Sequence, residues 1–105
     1  MNEYKVIWQD TAYANLLTIR EEIEKVSYSV ESADNTLTAI YERTEALTRF
    51  PNRHPIYPDR PALRRMVVNR DYCVYYRVIE ETKIVRVFNI LRSSADALRH
   101  IEPVD

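Results

Sequence analysis

The sequence predicts an α+β fold: an N-terminal strand, a long antiparallel helical hairpin packed on a mainly antiparallel β-sheet, and a short C-terminal helix. Two patterns support this prediction. Apolar residues recur at helical spacing through residues 11–50, and β-branched and aromatic residues are concentrated in short runs through residues 62–92. The element order before the last helix is therefore β-α-α-β-β-β. A chain of 105 residues is long enough for one core, so we expect one domain over residues 1–105.

The first strand and the two helices follow from the N-terminal half. Glu3–Trp8 alternates as a strand does, and Asp10 or Thr11 offers a side-chain oxygen to cap a helix. Two apolar stripes with spacings of 3 and 4 are separated by a polar joint at Ser27–Ser29, and Pro51 cannot continue the second helix beyond Phe50. The stripes consist of Ala12, Leu16, Ile19, Ile23 and Val26, then Val30, Ala33, Leu37, Ile40, Thr44 and Leu47.

A proline-rich segment follows the helices. Four of the five prolines lie in residues 51–61, and such a density of fixed φ angles predicts an extended surface loop without regular structure. The loop carries Arg53, His54 and Arg60. Because the chain contains no glycine, we also expect its turns to use Pro, Asn and Asp.

Three strands are predicted after this loop. A strand at Ala62–Asn69 leads through a turn into a hairpin over Tyr72–Leu91, with a charged turn from Glu80 to Lys83. If Ile79 faces Ile84, the numbers of paired residues sum to 163. A nearly apolar face, expected to pack under the helices, then has Tyr72, Val74, Tyr76, Val78, Val85, Val87, Asn89 and Leu91. The opposite face has Cys73, Tyr75, Arg77, Ile79, Ile84, Arg86, Phe88 and Ile90.

On that opposite face, Arg77 lies directly across from Arg86 in the predicted register. Like charges in such a position are destabilising, so the pair indicates a shared anion, a carboxylate between them, or plain solvation. The hairpin therefore has the character of a functional surface. A short helix over Ala95–Ile101 completes the predicted fold.

Charge is distributed unevenly, although the net charge is only −1. Residues 1–50 carry five basic and nine acidic side chains, whereas residues 51–105 carry ten basic and seven acidic ones. Nine of those ten basic residues are arginine, whose planar fork suits phosphate and carboxylate groups. The C-terminal half is expected to face nucleic acid or an acidic protein partner, unless its arginines are merely solvated.

Composition argues against several classes of protein. The absence of glycine excludes the Gly-rich phosphate loops of nucleotide-dependent enzymes. The single cysteine, Cys73, cannot form an internal disulfide, and no His/Cys cluster has metal-ligand spacing. No apolar run approaches the roughly 20 residues that cross a bilayer, and no signal-peptide core is present. We therefore expect a cytoplasmic protein with no cofactor, no metal and no membrane contact.

Three stretches in this order of elements resemble one known family. Leu63–Val68, Tyr72–Val78 and Val85–Arg92 are similar to the sheet strands of the RelE/ParE superfamily of toxins from bacterial type II toxin–antitoxin modules. The resemblance implies the α+β fold described above and one of two activities. The RelE branch cleaves messenger RNA on the ribosome without a metal, and the ParE branch poisons DNA gyrase.

Particular residues place the resemblance closer to the ParE-like branch. Many RNA-cleaving members carry arginine just after the tyrosine of the middle strand, where this chain has Cys73. They often end the last strand with Leu-His-x-Arg-Arg-Asp, where this chain reads Leu91-Arg92-Ser93-Ser94-Ala95-Asp96. We expect Cys73 to be a small, half-buried residue and not a nucleophile.

The leading interpretation is a non-catalytic toxin that binds DNA gyrase through its arginines, Arg64, Arg65, Arg77, Arg86 and Arg92. The alternative is a ribosome-dependent mRNA endonuclease, in which Arg64 and Arg92 hold the phosphate and His54, Tyr75 or His100 carries the proton. A third possibility is a family member that has lost its toxicity.

All three interpretations imply a cognate antitoxin as partner. Its disordered C-terminal segment would fold on binding, with an apolar helix on the helical hairpin and a possible strand on a sheet edge. An acidic segment would suit the arginines.

Overall fold

The structure, a computed structural model, describes residues 3–27 and 29–93. It confirms the predicted order of strands and helices. These are β1 (Lys5–Trp8), α1 (Asp10–Ser27), α2 (Val30–Glu45), β2 (Arg64–Val68), β3 (Tyr72–Ile79) and β4 (Ile84–Arg92). Two short 3₁₀ turns, Ala46–Thr48 and Pro51–Arg53, lie between α2 and β2. The predicted helix over Ala95–Ile101 lies outside the described residues.

The four strands form one mixed sheet in the order β1-β4-β3-β2. The pairs β2–β3 and β3–β4 are antiparallel, as expected for consecutive strands joined by short turns. β1 lies parallel to β4, with Lys5 opposite Ile84 and Trp8 opposite Val87. The first and last strands are therefore neighbours in the sheet, which is mainly antiparallel as predicted.

The main core lies between one face of the sheet and the helical hairpin. Most residues of the two predicted stripes face it, and the stripes are confirmed at Ala12, Ile19, Ala33, Ile40, Thr44 and Leu47, which are all buried. The prediction is wrong for Val26 and Val30, which are exposed. Both flank the joint at the tip of the hairpin, and burial along the helices ends at Ile23 and resumes at Ala33.

The proline-rich segment contains more regular structure than expected. Pro51–Arg53 forms a 3₁₀ turn, because a proline at the first position of such a turn loses no hydrogen bond. Ile56 then bridges Arg64, and the Arg65 N–H donates to the Pro55 carbonyl at 3.0 Å. The segment therefore runs beside the start of β2.

The predicted register of the β3–β4 hairpin is confirmed only near its turn. Pairs from Ile79–Ile84 to Tyr76–Val87 follow the expected sum, but Tyr75 pairs with Asn89, so Phe88 is an extra residue in β4. Such a bulge inverts the facing of the residues beyond it. The predicted positions of Ile90 and Leu91 are consequently wrong. Ile90 joins the core under the helices, and Leu91 packs on the other face.

An asparagine from α1 satisfies the backbone at this bulge. The Asn15 side-chain oxygen accepts from the Ile90 N–H and from the Asn89 amide, both at 3.0 Å. Ile90 and Asn89 are fully buried, so an unpaired donor there would be costly. The contact ties α1 to the end of β4, and it keeps Asn89 directed toward the helices as predicted.

A second buried cluster lies on the opposite face of the sheet. Tyr57 and Leu63, from the proline-rich segment, pack there with Cys73 and Tyr75, and the rings of Tyr57 and Tyr75 are 5.2 Å apart. The prediction of a half-buried Cys73 is wrong, since only 1% of it is exposed. Part of the sheet face that we expected to be exposed is therefore buried in a second, smaller core.

Candidate functional site

The predicted juxtaposition of Arg77 and Arg86 is confirmed. The two residues are direct partners in the β3–β4 ladder, on the face of the sheet away from the helices, and both are half-buried. Arg86 is oriented by Gln9, whose side-chain oxygen accepts from its guanidinium at 3.0 Å. The middle of this face therefore holds two like charges in adjacent strands, an arrangement that favours an anionic partner.

Arg65 extends the same positive surface across β2. It pairs with Tyr75 and therefore faces the same side as Arg77, two residues further along β3. Its guanidinium lies 5.1 Å from the centre of the Tyr57 ring, a cation–π contact that fixes its position over the second cluster. Neither Arg65 nor Arg86 forms a salt bridge with a carboxylate within residues 3–27 and 29–93. We call Arg65, Arg77 and Arg86 the arginine face.

The other two candidate arginines lie on the opposite side of the sheet. Arg64 pairs with the core residue Tyr76, and its guanidinium donates to the carbonyls of Asn52 at 3.1 Å and His54 at 2.7 Å. It holds the proline-rich segment in place. The structure therefore does not bring the five predicted arginines together on one surface.

Arg92 lies at the end of β4, on the helix side. It pairs with Tyr72, its guanidinium lies 5.9 Å from the centre of the Tyr72 ring, and its Nε is 3.9 Å from a carboxylate oxygen of Glu22. Both side chains of this ion pair are at least half exposed, so the pair contributes little to stability. Arg92 is therefore apart from the arginine face.

The candidate proton carriers are also separated. Tyr75 is almost fully buried in the second cluster, and this burial, reinforced by Cys73 and Tyr57, raises its pKa to about 12. His54 lies edge-on to Tyr76, with ring centres 6.5 Å apart, and partial burial together with Arg53 and Arg43 lowers its pKa. At neutral pH Tyr75 is protonated and His54 is uncharged. His100 lies outside the described residues.

No group of three His, Cys, Asp or Glu side chains within the described ranges is placed to hold a metal ion. In the same ranges, neither helix has the length and apolar character needed to cross a membrane.

A second feature, which the stripe analysis missed, is an exposed aromatic cluster on the helical hairpin. The Trp8 ring stacks against Tyr13 of α1 and Tyr41 of α2, with ring centres 5.3 and 5.7 Å away, and its indole N–H donates to Glu45 at 2.7 Å. Tyr13 and Tyr41 are 51% and 50% exposed, and Leu17, one turn beyond Tyr13, is 64% exposed. We call Trp8, Tyr13, Leu17 and Tyr41 the hairpin patch.

The sequence does carry a signal for this patch. Tyr13 and Leu17 are four residues apart, as are neighbours on one helix face, but they lie beside the core stripe and not on it. Apolar residues outside a satisfied stripe indicate a second contact surface.

Comparison with known proteins agrees with the fold and identifies the family. The family described as the ParE toxin of the type II toxin–antitoxin system, parDE, matches residues 6–97. No curated protein sequence matches the chain.

Two solved structures share its fold. A chain of the chromosomal ParDE system from P. aeruginosa is 22% identical, with a TM-score of 0.76 over 90% of this chain and 100% of that chain. A chain of the toxin–antitoxin complex RelBE2 from Mycobacterium tuberculosis is 21% identical, with a TM-score of 0.64 over 88% of this chain and 93% of that chain. Since the family match spans most of the sequence, the chain belongs to the ParE toxin family of type II toxin–antitoxin systems.

Proposed function

We propose that this toxin inhibits growth by binding and poisoning DNA gyrase in the cytoplasm, and that a cognate antitoxin neutralises it. The observation that supports this most directly is the arginine face. Arg77 and Arg86 are held opposite one another although their charges repel, and Arg65 lies beside them. A surface that gathers three arginines is suited to an acidic patch on a protein target.

The arrangement of the candidate catalytic residues supports binding over RNA cleavage. Attack of a ribose hydroxyl on a phosphate needs a group that accepts a proton and a cation that is free to hold the phosphate. Tyr75 is buried and has a raised pKa, and one terminal nitrogen of the Arg64 guanidinium already donates to two backbone carbonyls. The two candidate phosphate ligands lie apart, since Arg64 pairs with Tyr76 and Arg92 pairs with Tyr72. This set is poorly placed for ribosome-dependent cleavage of mRNA.

Inducible expression with two readouts tests the proposal. We expect DNA breaks and an SOS response while mRNA stays intact. The double variant Arg77→Gln/Arg86→Gln should lose toxicity, whereas Arg43→Gln, an exposed arginine on α2, should remain toxic. Ribosome-positioned mRNA cuts within minutes of induction would contradict the proposal, and so would a chain that is harmless at high expression.

The hairpin patch is the proposed docking site for the antitoxin. Three of its side chains are at least half exposed, and burying a leucine or aromatic side chain contributes roughly 1.5–3 kcal/mol. An amphipathic helix with apolar residues at positions i, i+3 or i+4 would cover it.

The charges around the patch refine the expected antitoxin. Glu21 follows Leu17 by one helical turn, and Glu45 follows Tyr41 by one helical turn. An antitoxin helix that docks here should therefore carry Lys or Arg beside its apolar anchors. An acidic stretch, in contrast, would suit the arginine face on the other side of the sheet.

A further inference from the structure

An open cleft lies at the end of the sheet where β1 and β4 begin. It has a volume of about 680 Å³ and is lined in part by Glu3, Tyr4, Arg49, Phe50, Arg53 and Lys83. None of these residues belongs to the arginine face or to the candidate residues for RNA cleavage. The volume is in the range of small-molecule sites, which combine apolar walls with a few convergent polar groups.

One wall of the cleft is an aromatic ring that is held out toward solvent. Phe50 is 75% exposed and has left-handed backbone angles, φ 50° and ψ 50°, directly before Pro51. Both its bulk and the following proline disfavour this conformation. Strain of this kind persists where the surrounding structure enforces it, and it is concentrated at functional sites.

The surrounding hydrogen bonds enforce it here. The buried Tyr76 hydroxyl donates to the Pro51 carbonyl at 2.6 Å, and the Arg53 N–H donates to the Phe50 carbonyl at 3.2 Å. Arg64 anchors the next carbonyl, that of Asn52, at 3.1 Å. The loop under Phe50 is therefore fixed before any ligand arrives.

The polar groups of the cleft are mainly cationic. Arg49, Arg53 and Lys83 line it together with the carboxylate of Glu3. Lys83 is paired with Glu80, whose carboxylate also accepts from Tyr4 and Asn52, so the two arginines are the cations left for a ligand. Arg49 is 3.2 Å from Glu3, but both side chains are largely exposed, so a ligand can displace this pair. Arg53 makes only a 3.5 Å contact with His54, and within the described part of the chain it forms no salt bridge.

A second aromatic ring, that of Tyr4, also lines the cleft. The Tyr4 backbone N–H is bonded to the Thr48 carbonyl at 2.9 Å, and the Lys83 ammonium is 4.9 Å from the centre of the Tyr4 ring. Two aromatic rings and two available guanidinium groups thus border one space. This combination suits a flat ring that carries a negative charge.

We propose that the cleft binds a small planar aromatic anion, that is, an aromatic or heteroaromatic ring bearing a phosphate or carboxylate. The ring would lie against Phe50, and the anion would bind Arg49 and Arg53. The site is separate from the arginine face and does not depend on gyrase as the target.

Titration of the full chain with phenyl phosphate and with uridine monophosphate, followed by calorimetry and NMR, tests this proposal. We expect saturable binding that weakens at least about tenfold in Phe50→Asn and in Arg53→Gln. Asparagine tolerates left-handed backbone angles, so the first variant removes the ring and keeps the loop conformation. The matched control is Arg60→Gln, in the same segment but outside the cleft lining, which should bind as the wild type does.

Four results would overturn the proposal. The first is no saturable binding at millimolar concentration, and the second is wild-type affinity in both Phe50→Asn and Arg53→Gln. The third is an affinity for inorganic phosphate equal to that for the aromatic ligands, which would reduce the site to a general anion contact. The fourth is tighter binding of a single-stranded oligonucleotide that the same variants weaken, since that would assign the cleft to nucleic acid and not to a free small molecule. Gyrase assays play no part in this test, so its outcome is independent of the proposed toxicity.

Discussion

The arginine face combines a cost in stability with a proposed gain in function. Arg77 and Arg86 are cross-strand partners, and like charges directly opposite one another are unfavourable. The facing of these two residues was predictable, because the strand pattern and the charged turn define the register as far as Tyr76. Strand alternation also implied that Arg64 lies on the other side from Arg65. For Arg92 it implied the side of Arg86, and the bulge at Phe88 moves Arg92 to the helix side.

Replacing one member of the pair should separate stability from activity. We expect Arg77→Thr to change the free energy of unfolding by no more than about 1 kcal/mol, because the repulsion from Arg86 is removed together with the contacts that Arg77 itself makes. The same variant should have lower toxicity. Urea denaturation measures the first effect, and growth after induction measures the second. A much larger loss of stability, or undiminished toxicity, would contradict this expectation.

Asn15 is the residue on which the β4 bulge depends. Asn15→Ala leaves the buried Ile90 N–H and the Asn89 amide without this acceptor, and we expect a loss of at least about 2 kcal/mol in the free energy of unfolding. The control is Asn35→Ala, an exposed asparagine on α2, which should lie within about 0.5 kcal/mol of the wild type. Equal stability of the two variants in urea would rule out this role for Asn15.

The Glu80 carboxylate makes the free energy of unfolding depend on pH in the acidic range. Its carboxylate accepts from Asn52, Tyr4 and Lys83 at 2.9, 2.8 and 3.2 Å, and these contacts lower its pKa from 4.5 to about 2. Because the pKa is lower in the folded state, the stabilisation is complete above pH 4.5 and is lost as the pH falls from there toward about 2.

Glu80→Gln should therefore be less stable than the wild type at neutral pH, with a smaller difference between the two at pH 2–3. Glu81→Gln, at the neighbouring exposed position, serves as the control. Thermal unfolding across this pH range measures the effect. A difference between Glu80→Gln and the wild type that is constant with pH would show that the carboxylate charge is not responsible.

At the scale of the elements, the helices were the most predictable part of the fold. Their periodic stripes extend over several turns, and only the terminal positions Val26 and Val30 depart from the pattern. The bulge in β4 could not be predicted, because the acceptor that compensates it is Asn15, in a distant helix. Asn89 is of a type that strands disfavour, but this alone does not locate an extra residue. Short-range patterns do not report a contact between residues 75 positions apart.

Turns were predicted less well than strands, because the glycine-free chain uses unexpected residues at left-handed angles. Asn69 has a φ of 52°, as an asparagine turn suggests. Arg70 at 66° and Lys83 at 56° also adopt positive φ, although neither type favours it. Closure of the hairpins therefore overrides local preference at these two positions.

The role of the hairpin patch in binding the antitoxin can be tested by mutation. We expect Leu17→Ala/Tyr41→Ala to remain toxic but to escape neutralisation, since the antitoxin helix loses two apolar contacts. Coexpression with the antitoxin, with growth and co-purification as readouts, tests this. Val26→Ala/Val30→Ala is the matched control, because these apolar side chains are exposed but lie at the tip of the hairpin. If both double variants are neutralised equally, the patch is not the docking site.

For the whole molecule, the uneven charge along the sequence becomes two surfaces on opposite sides of one sheet. The acidic N-terminal half forms the helices, where glutamates border the hairpin patch, and the arginine face belongs to the C-terminal strands. Such separation would let a target and an antitoxin of opposite charge bind different sides. Family membership and fold were predictable from the strand sequences, whereas the choice among arginines required the three-dimensional arrangement.

The most direct test of the central claim uses purified toxin and purified DNA gyrase. We expect the wild-type chain and Arg43→Gln to bind gyrase and to increase the amount of gyrase-bound, cleaved DNA in a supercoiling reaction. The double variant Arg77→Gln/Arg86→Gln, with its fold confirmed by circular dichroism, should do neither. Undiminished binding and DNA cleavage with this double variant would contradict the assignment of the arginine face, and no binding by the wild-type chain would contradict gyrase as the target.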